Sequence, residues 1–286
     1  MKHLLIKPAL KNSIKLQCDN GLAVLFLGTG SAFAKRYYQT NFLIIKGNDH
    51  LLVDCGTKCS ISLQQLDLGF QDIKHYYITH SHSDHIGGLE EVALVYRYFL
   101  KEKPHIYINK LYKKMLWEES LRGGISHSEH RNGRGLQFED FWNLTPLKRN
   151  KSFKRETWEA QIGSINIKTP RTCHFPENVK SWKDAIWSTG VIIDDRILFT
   201  CDTTFDYNLI DEFQRTLNIE WIFHDCQFFP GGIHANLEEL NSLPSSIKEK
   251  TILCHYGDTM ENYQDKIGDY GFHSFAKQHH FYYFDA

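Results

Sequence analysis

The sequence predicts an α/β sandwich that forms one domain over residues 1–286, with an insertion near residues 110–160. Segments with the pattern of strands alternate with segments that have the spacing of helices. Histidines and aspartates follow several of the strands, where ligands are commonly mounted. Neither an internal repeat nor a low-complexity linker interrupts this order, so a single large domain is the expectation.

The first half of the chain contains five expected strands and three expected helices. Residues 22–28 (LAVLFLG) form an apolar run that ends at a Gly-Thr-Gly turn, and Gly-Asn-Asp at 47–49 joins the next two strands. The expected strands are residues 22–28, 42–45, 51–53, 76–79 and 105–108. The expected helices are residues 57–68, which Gly69 ends, 89–100 and 111–121.

The second half returns to the strand pattern after the expected insertion. Asp194-Asp195 is a turn sequence between two short apolar runs and predicts a hairpin there. The expected strands are residues 161–168, 191–193, 197–200, 220–224, 251–254 and 280–284. The expected helices are residues 207–217 and 237–240.

Composition excludes several classes of protein. Lys and Arg total 33 against 34 Asp and Glu, a formal net charge of −1, which argues against an extended basic surface for nucleic acid. No apolar run reaches the roughly 18 residues of a membrane span, and the first residues make a poor secretory signal. Seven widely spaced cysteines, an odd number, favour a reducing compartment. We expect a soluble cytoplasmic enzyme without a membrane partner.

The motif His80-Ser-His-Ser-Asp84-His85 directly follows the strand at 76–79. Four possible ligands in six residues cannot face one point on a regular helix or strand, but a loop can direct them toward two neighbouring ions. Neutral imidazole and carboxylate groups are suitable ligands for zinc. The alternative is a solvated polar turn that happens to be rich in histidine.

This motif, together with later His and Asp residues at strand ends, resembles the metallo-β-lactamase superfamily of metal-dependent hydrolases. The matching residues are His174 in RTCHF, Asp202 in FTCDTT, His255 in LCHYGD and Asp54 in LLVDCG. The resemblance implies a four-layer αββα sandwich that binds two Zn²⁺ ions per chain, although Mn²⁺ or Fe can occupy such sites.

The resemblance also implies a role for each ligand. One zinc would be bound by His80, His82 and His174, the second by Asp84, His85 and His255, and Asp202 would bridge both. Asp54 would support the histidine loop from outside. The cysteines beside these positions are expected to point into the core, because neighbouring side chains on a strand face opposite ways.

Within the superfamily, GTGSA at 28–32 and the retained Asp202 resemble the phosphodiesterase branch that includes ribonuclease Z. In that branch a further histidine protonates the leaving group. His234 resembles it, and Asp225 would be its carboxylate partner where the branch usually has Glu. The candidate catalytic residues are therefore His234, Asp225 and Asp84.

The favoured function is a di-zinc phosphodiesterase in which activated water attacks the phosphorus of a small, possibly cyclic, nucleotide. A ribonuclease Z-like RNA endonuclease, a glyoxalase II-like thioester or lactone hydrolase and a scaffold without turnover are the alternatives. The basic run at 148–155 is either a solvated loop or a contact for an anionic substrate. Relatives commonly dimerise, which favours a homodimer.

Overall fold

Mostly short strands and short helices make up the computed structural model, which describes residues 3–11 and 14–285. The strands are β1 Leu4–Pro8, β2 Cys18–Gly28, β3 Asn41–Gly47, β4 Asp49–Val53, β5 His75–Tyr77, β6 His105–Ile108, β7 His130–Arg131, β8 Arg134–Gly135, β9 Asn143–Pro146, β10 Lys148–Asn150, β11 Thr157–Ile162, β12 Ile165–Pro170, β13 Val191–Ile193, β14 Ile197–Phe199, β15 Trp221–Asp225, β16 Thr251–Cys254, β17 Ser274–Phe275 and β18 His280–Phe284.

The helices are α1 Cys59–Gln65, α2 Ser83–Ile86, α3 Leu89–Val95, α4 Lys110–Leu116, α5 Arg122–Ile125, α6 Phe138–Phe141, α7 Tyr207–Thr216, α8 Leu237–Asn241 and α9 Ser245–Lys248. Single π-helical turns at Tyr96–Leu100 and Trp117–Leu121 continue α3 and α4. Among these described helices, none is both long enough and apolar enough to cross a bilayer.

All the described strands except β7 and β8, which pair with each other, form two eight-stranded sheets. The first has the order β1-β18-β2-β3-β4-β5-β6-β9, and the second has the order β10-β11-β12-β13-β14-β15-β16-β17. Each sheet is antiparallel on one side and parallel on the other: β4, β5, β6 and β9 run parallel in the first, and β14 to β17 in the second.

Three apolar clusters show how the layers pack. One lies between the two sheets and includes Phe26, Phe42, Phe199 and Phe223. A second lies between the first sheet and helices α1, α3 and α4, and a third between the second sheet and helices α7, α8 and α9. The arrangement is helices, sheet, sheet, helices, and the expected α/β sandwich is confirmed.

Several element boundaries differ from the expectation. Residues 161–168 were expected as one strand, but the chain turns at Gly163, which has a φ of +53°, so β11 and β12 form a hairpin there. The sequence pattern predicts no strand at β1, β9 or β10. Because β9 joins the first sheet and β10 the second, residues 143–150 belong to the sandwich itself. An insertion over 110–160 stays a prediction.

The parallel strands determine where the polar residues gather. The carboxyl ends of β4, β5, β14, β15 and β16 lie at one edge of the sandwich, since parallel strands end on the same side of a sheet. β12 has the same direction as β14, because both are antiparallel to β13. The residues that follow all six strands therefore meet at this edge.

Phe26 at the centre of the inter-sheet core provides a test of this packing. Its ring lies 5.4 Å from those of Phe223 and Tyr282 and 5.7 Å from that of Phe42, and it is fully buried. Phe26→Ala should lower the free energy of unfolding by about 3–5 kcal/mol, as expected for a large cavity. Urea unfolding would measure this loss. Ile61→Ala on the exposed face of α1 is the control, and an equal loss in both would contradict the packing.

Candidate metal centre

The histidine motif changes from loop to helix within its own length. Thr79, His80 and His82 lie in the loop after β5, whereas α2 begins at Ser83 and carries Asp84 and His85. This change of backbone directs the side chains to two different points. The loop follows a strand end, as the sequence predicted.

Two sets of possible ligands result. In each set the ligand atoms lie within 4.8 Å of one another, and Asp202 belongs to both. The first set is His80, His82, His174 and Asp202, and the second is Asp84, His85, Asp202 and His255. Every sequence-predicted ligand is therefore at this edge. Among the described residues no cysteine belongs to either set, and Cys55, Cys173 and Cys254 are buried in or beside the core.

Asp54 holds the loop and one histidine together. Its carboxylate accepts hydrogen bonds from the Thr79 backbone N–H and hydroxyl, both at 2.8 Å, and from His85 Nδ1 at 2.7 Å. Because Nδ1 of His85 is the donor, Nε2 is left to face Asp84 and Asp202. This is the outer-shell geometry that fixes the tautomer of a ligating histidine.

His174 is oriented in the same way by the main chain. Its Nδ1 donates to the carbonyl of Ile233 at 2.9 Å, so Nε2 points toward His82 Nδ1, 3.1 Å away. Burial lowers the pKa of His174 to about 4, and burial also lowers the pKa values of His80, His82 and His255. These imidazoles are therefore neutral, which is the form that binds metals.

The pKa of His85 shifts in the opposite direction from those of the other four histidines. Burial alone would lower its pKa, but Asp202, Asp84 and Asp54 surround the ring and hold the pKa well above its usual value. The carboxylates around His85 therefore favour positive charge at this point. A divalent cation would supply it.

The donor set fits a divalent cation by a second criterion. Both ring nitrogens of His255 are buried and have no hydrogen-bond partner in the described part of the chain. An unsatisfied buried imidazole is costly in a folded protein unless an ion or ligand completes it. His and Asp together are ligands of Zn²⁺ and of related divalent ions.

His234 and Asp225 lie beside both ligand sets. His234 Nδ1 donates to the Asp225 carboxylate at 2.9 Å, and its ring centroid is 5.0 Å from that of His174 and 4.9 Å from that of His255. Burial alone would lower the His234 pKa, but the hydrogen bond to Asp225 and the nearby carboxylates raise it. His234 can therefore hold a proton on Nε2 next to the two candidate ligand sets.

The backbone at three strand ends adopts a conformation that the sequence did not reveal. Asp54, Cys201 and His255 have φ values of +62°, +50° and +54°, in the left-handed region that non-glycine residues seldom occupy. Each lies in or next to the ligand arrangement. Such local strain persists where the surrounding fold determines it, and it is characteristic of functional sites.

Sequence reasoning also missed the surroundings of the site. Gly56 packs so closely on the motif that a Cβ there would lie 2.0 Å from the carbonyl oxygen of Asp84. Gln227 Nε2 donates to the carbonyls of Phe229 and Gly231, and so supports the loop that ends at His234. Gly56 close after Asp54 and the polar Gln227 ahead of Gly231-Gly232 were the available signals.

The basic run at 148–155 lies partly in the interior. Arg155 is buried, and its guanidinium pairs with the Asp206 carboxylate at 2.8 Å. Arg149 donates to the carbonyl oxygens of Asn150 and Thr157. Both arginines therefore stabilise the second sheet and the start of α7.

Comparisons with known proteins agree on a family. The family model described as "Anti-Pycsar protein Apyc1" matches residues 22–282. A protein of that name from Bacillus phage BSP38 is 37% identical over 248 residues, which is 86% of this chain and 93% of the phage protein. One from Paenibacillus harenae is 34% identical over 246 residues, 86% of this chain and 94% of that protein.

A solved structure shows the same fold. The metallo-beta-lactamase fold protein YhfI from Bacillus subtilis superposes with a TM-score of 0.64 over 90% of this chain and 97% of that chain, at 16% sequence identity. The predicted metallo-β-lactamase fold is therefore confirmed.

Asp54→Asn tests whether the outer carboxylate prepares His85 for metal binding. An amide cannot accept from both Thr79 groups and His85 at once, so we expect zinc affinity to fall about 10–100-fold. Titration against a competing chelator measures it, with thermal unfolding as a check on folding. Asp67→Asn, at another left-handed position away from the site, is the control. Unchanged affinity in Asp54→Asn would contradict this role.

Proposed function

The chain belongs to the anti-Pycsar protein Apyc1 family, and we propose from this membership and from its site that it is a metal-dependent phosphodiesterase acting on a small cyclic nucleotide. The observation that carries the proposal is the pair of ligand sets that share Asp202, with His234 between them. Two adjacent cation sites next to a proton donor suit hydrolysis of a phosphodiester.

We propose Zn²⁺ as the ion in both sites, with Mn²⁺ or Fe as the possible replacements. His80, His82 and His174 would bind one ion, Asp84, His85 and His255 the other, and Asp202 both. When bound, the two ions would neutralise the phosphate charge and lower the pKa of a water molecule. Asp54 would orient His85, as its hydrogen bonds to Thr79 and His85 support.

Side chains of the protein would supply the proton that the leaving oxygen needs. In hydrolysis of a cyclic phosphodiester, a bond forms between the water oxygen and phosphorus while one ester bond breaks. His234 would give its Nε2 proton to the departing oxygen, and Asp225 would hold the other edge of the ring. Asp84, whose carboxylate faces His85 and His255, is the third candidate catalytic residue.

The charge of the protein favours a small substrate. The formal net charge is −1, and two arginines of the basic run are engaged in structural contacts, Arg149 within the second sheet and Arg155 with Asp206 at the start of α7. A long polyanion usually requires an extended basic surface. We therefore favour a cyclic nucleotide over RNA.

We also propose that the enzyme is cytoplasmic and forms a homodimer. Seven cysteines without a disulfide among the described residues suit a reducing compartment. Phe99 and Leu111 are exposed large apolar residues outside the site, and a partner subunit would cover them. Sedimentation of the purified protein measures this state.

Hydrolysis of defined substrates tests the proposed function. We expect the zinc-loaded protein to convert cyclic nucleotides into linear nucleotides and to lose this activity with a chelator. Precursor tRNA, a thioester and a lactone are the comparison substrates. Turnover of one of these, with none of the cyclic nucleotides hydrolysed, would refute the proposal.

His234→Ala tests proton donation. We expect kcat for a cyclic nucleotide to fall about 10²–10⁴-fold, because general-acid assistance is lost, while bound zinc is unchanged. Bis(p-nitrophenyl) phosphate, whose leaving group needs little protonation, should be affected much less. His130→Ala on the exposed β7 is the control. Equal effects on the two substrates would contradict an acid role.

A further inference from the structure

A cavity of about 430 Å³ opens directly beside the candidate metal centre. His234 and His255 line it on the side of the metal centre, and two exposed aromatic residues, Phe33 and Phe229, also line it. Its volume is in the range of small-ligand sites. The mechanism described above uses the two histidines but leaves the rest of this cavity unexplained.

The two phenylalanines are unusually exposed. Phe33 has 86% of its surface exposed and Phe229 has 62%. Together with Phe99 they are the exposed phenylalanines of the described residues, and two of these three line one cavity. Phe228 also lines the cavity, but its ring stacks on Tyr263 at 4.5 Å and packs against the second sheet. Phe229 is thus the residue of this pair that remains free for a ligand.

Hydrogen bonds fix the turn of Phe33 relative to His255. The Ser31 N–H donates to the carbonyl of Tyr256 at 2.9 Å. The Asp258 carboxylate accepts from the backbone N–H groups of Lys35 and Arg36, at 3.1 and 3.0 Å. The chain on both sides of Phe33 is therefore attached to the segment that follows His255.

The loop of Phe229 is fixed relative to the other histidines. Gln227 binds the carbonyls of Phe229 and Gly231, and Gly231 and Gly232 turn the chain with φ values of +80° and +83°. The next residues are Ile233, whose carbonyl orients His174, and His234 itself. Phe229 thus lies on a loop that carries His234, and Phe33 lies on a turn that is hydrogen-bonded to the segment after His255.

The chemistry of the walls indicates what the cavity holds. None of the residues that line it in the described structure is Lys or Arg, and Asp258 is an acid. A second phosphate or a polynucleotide backbone would lack a counter-charge there. Aromatic side chains next to a phosphate site suit an uncharged flat ring, because every nucleobase has a flat face that can stack on such side chains.

We propose that this cavity binds the base of the substrate, with Phe33 and Phe229 as the residues that stack on it. This inference rests on the proposed cyclic-nucleotide activity. A phosphodiester at the ligand sets of His174 and His255 would extend its ribose past His234, and the attached base would enter between the two phenylalanines. Phe33 and Phe229 are therefore binding residues that determine preference for a nucleotide over other phosphodiesters.

The test compares a cyclic nucleotide with methyl riboside 3′,5′-cyclic phosphate, which keeps the reacting ring and lacks the base. The measured quantity is the ratio of kcat/KM for the two substrates. In Phe33→Ala and in Phe229→Ala we expect this ratio to fall about five- to a hundred-fold, the effect of losing one stacking contact. The change should appear mainly in KM for the nucleotide. Phe33→Tyr should keep the wild-type ratio.

Tyr207→Ala is the matched control, since Tyr207 is an exposed aromatic residue that does not line the cavity. A wild-type ratio in both Phe→Ala variants would overturn the inference and leave the proposed function intact. If wild type hydrolyses neither cyclic phosphate, the proposed function fails. Calorimetry with a nucleoside 5′-monophosphate then decides separately: weaker binding in both variants supports the pocket, and equal binding refutes it.

Discussion

One buried carboxylate oxygen organises the whole site. Asp202 Oδ2 lies 3.2 Å from Nε2 of His85 and of His255, and 3.7 Å from Nε2 of His80 and of His174. Burial alone would raise the Asp202 pKa, but the neighbouring His255, His85 and His80 hold it well below its usual range. The carboxylate is thus surrounded by four histidine rings, and this arrangement explains why the two candidate ligand sets share a single residue.

The fold makes this convergence possible because strands that are distant in sequence end at the same edge. Asp54 follows β4 and Asp202 follows β14, and one belongs to each sheet. Left-handed backbone at Asp54, Cys201 and His255 then turns the chain sharply where each strand stops. The apolar core between the sheets holds the edges of the two sheets in a fixed relative position. Packing far from the site therefore determines where the ligand atoms lie.

The sequence predicted the fold and the ligands for different reasons. Short continuous apolar runs located β2, β3 and β16, and the dense His and Asp motif after β5 was too specific to be an ordinary turn. The hairpin of β11 and β12 was missed because Gly163 and Ser164 interrupt the apolar pattern only briefly. The aromatic walls were missed because Phe33 and Phe229 lie in irregular segments, and only the folded chain brings them to one cavity.

The loop from Phe228 to His234 has a consequence of its own. Within seven residues it carries an exposed ring, the carbonyl that orients His174 and the candidate proton donor. Whatever occupies the cavity and shifts this segment also alters the direction of His174. By thermodynamic reciprocity, an ion held by His174 must then change the affinity for that occupant by the same factor. Cation uptake and ligand uptake are then two equilibria that are linked through the backbone of residues 228–234.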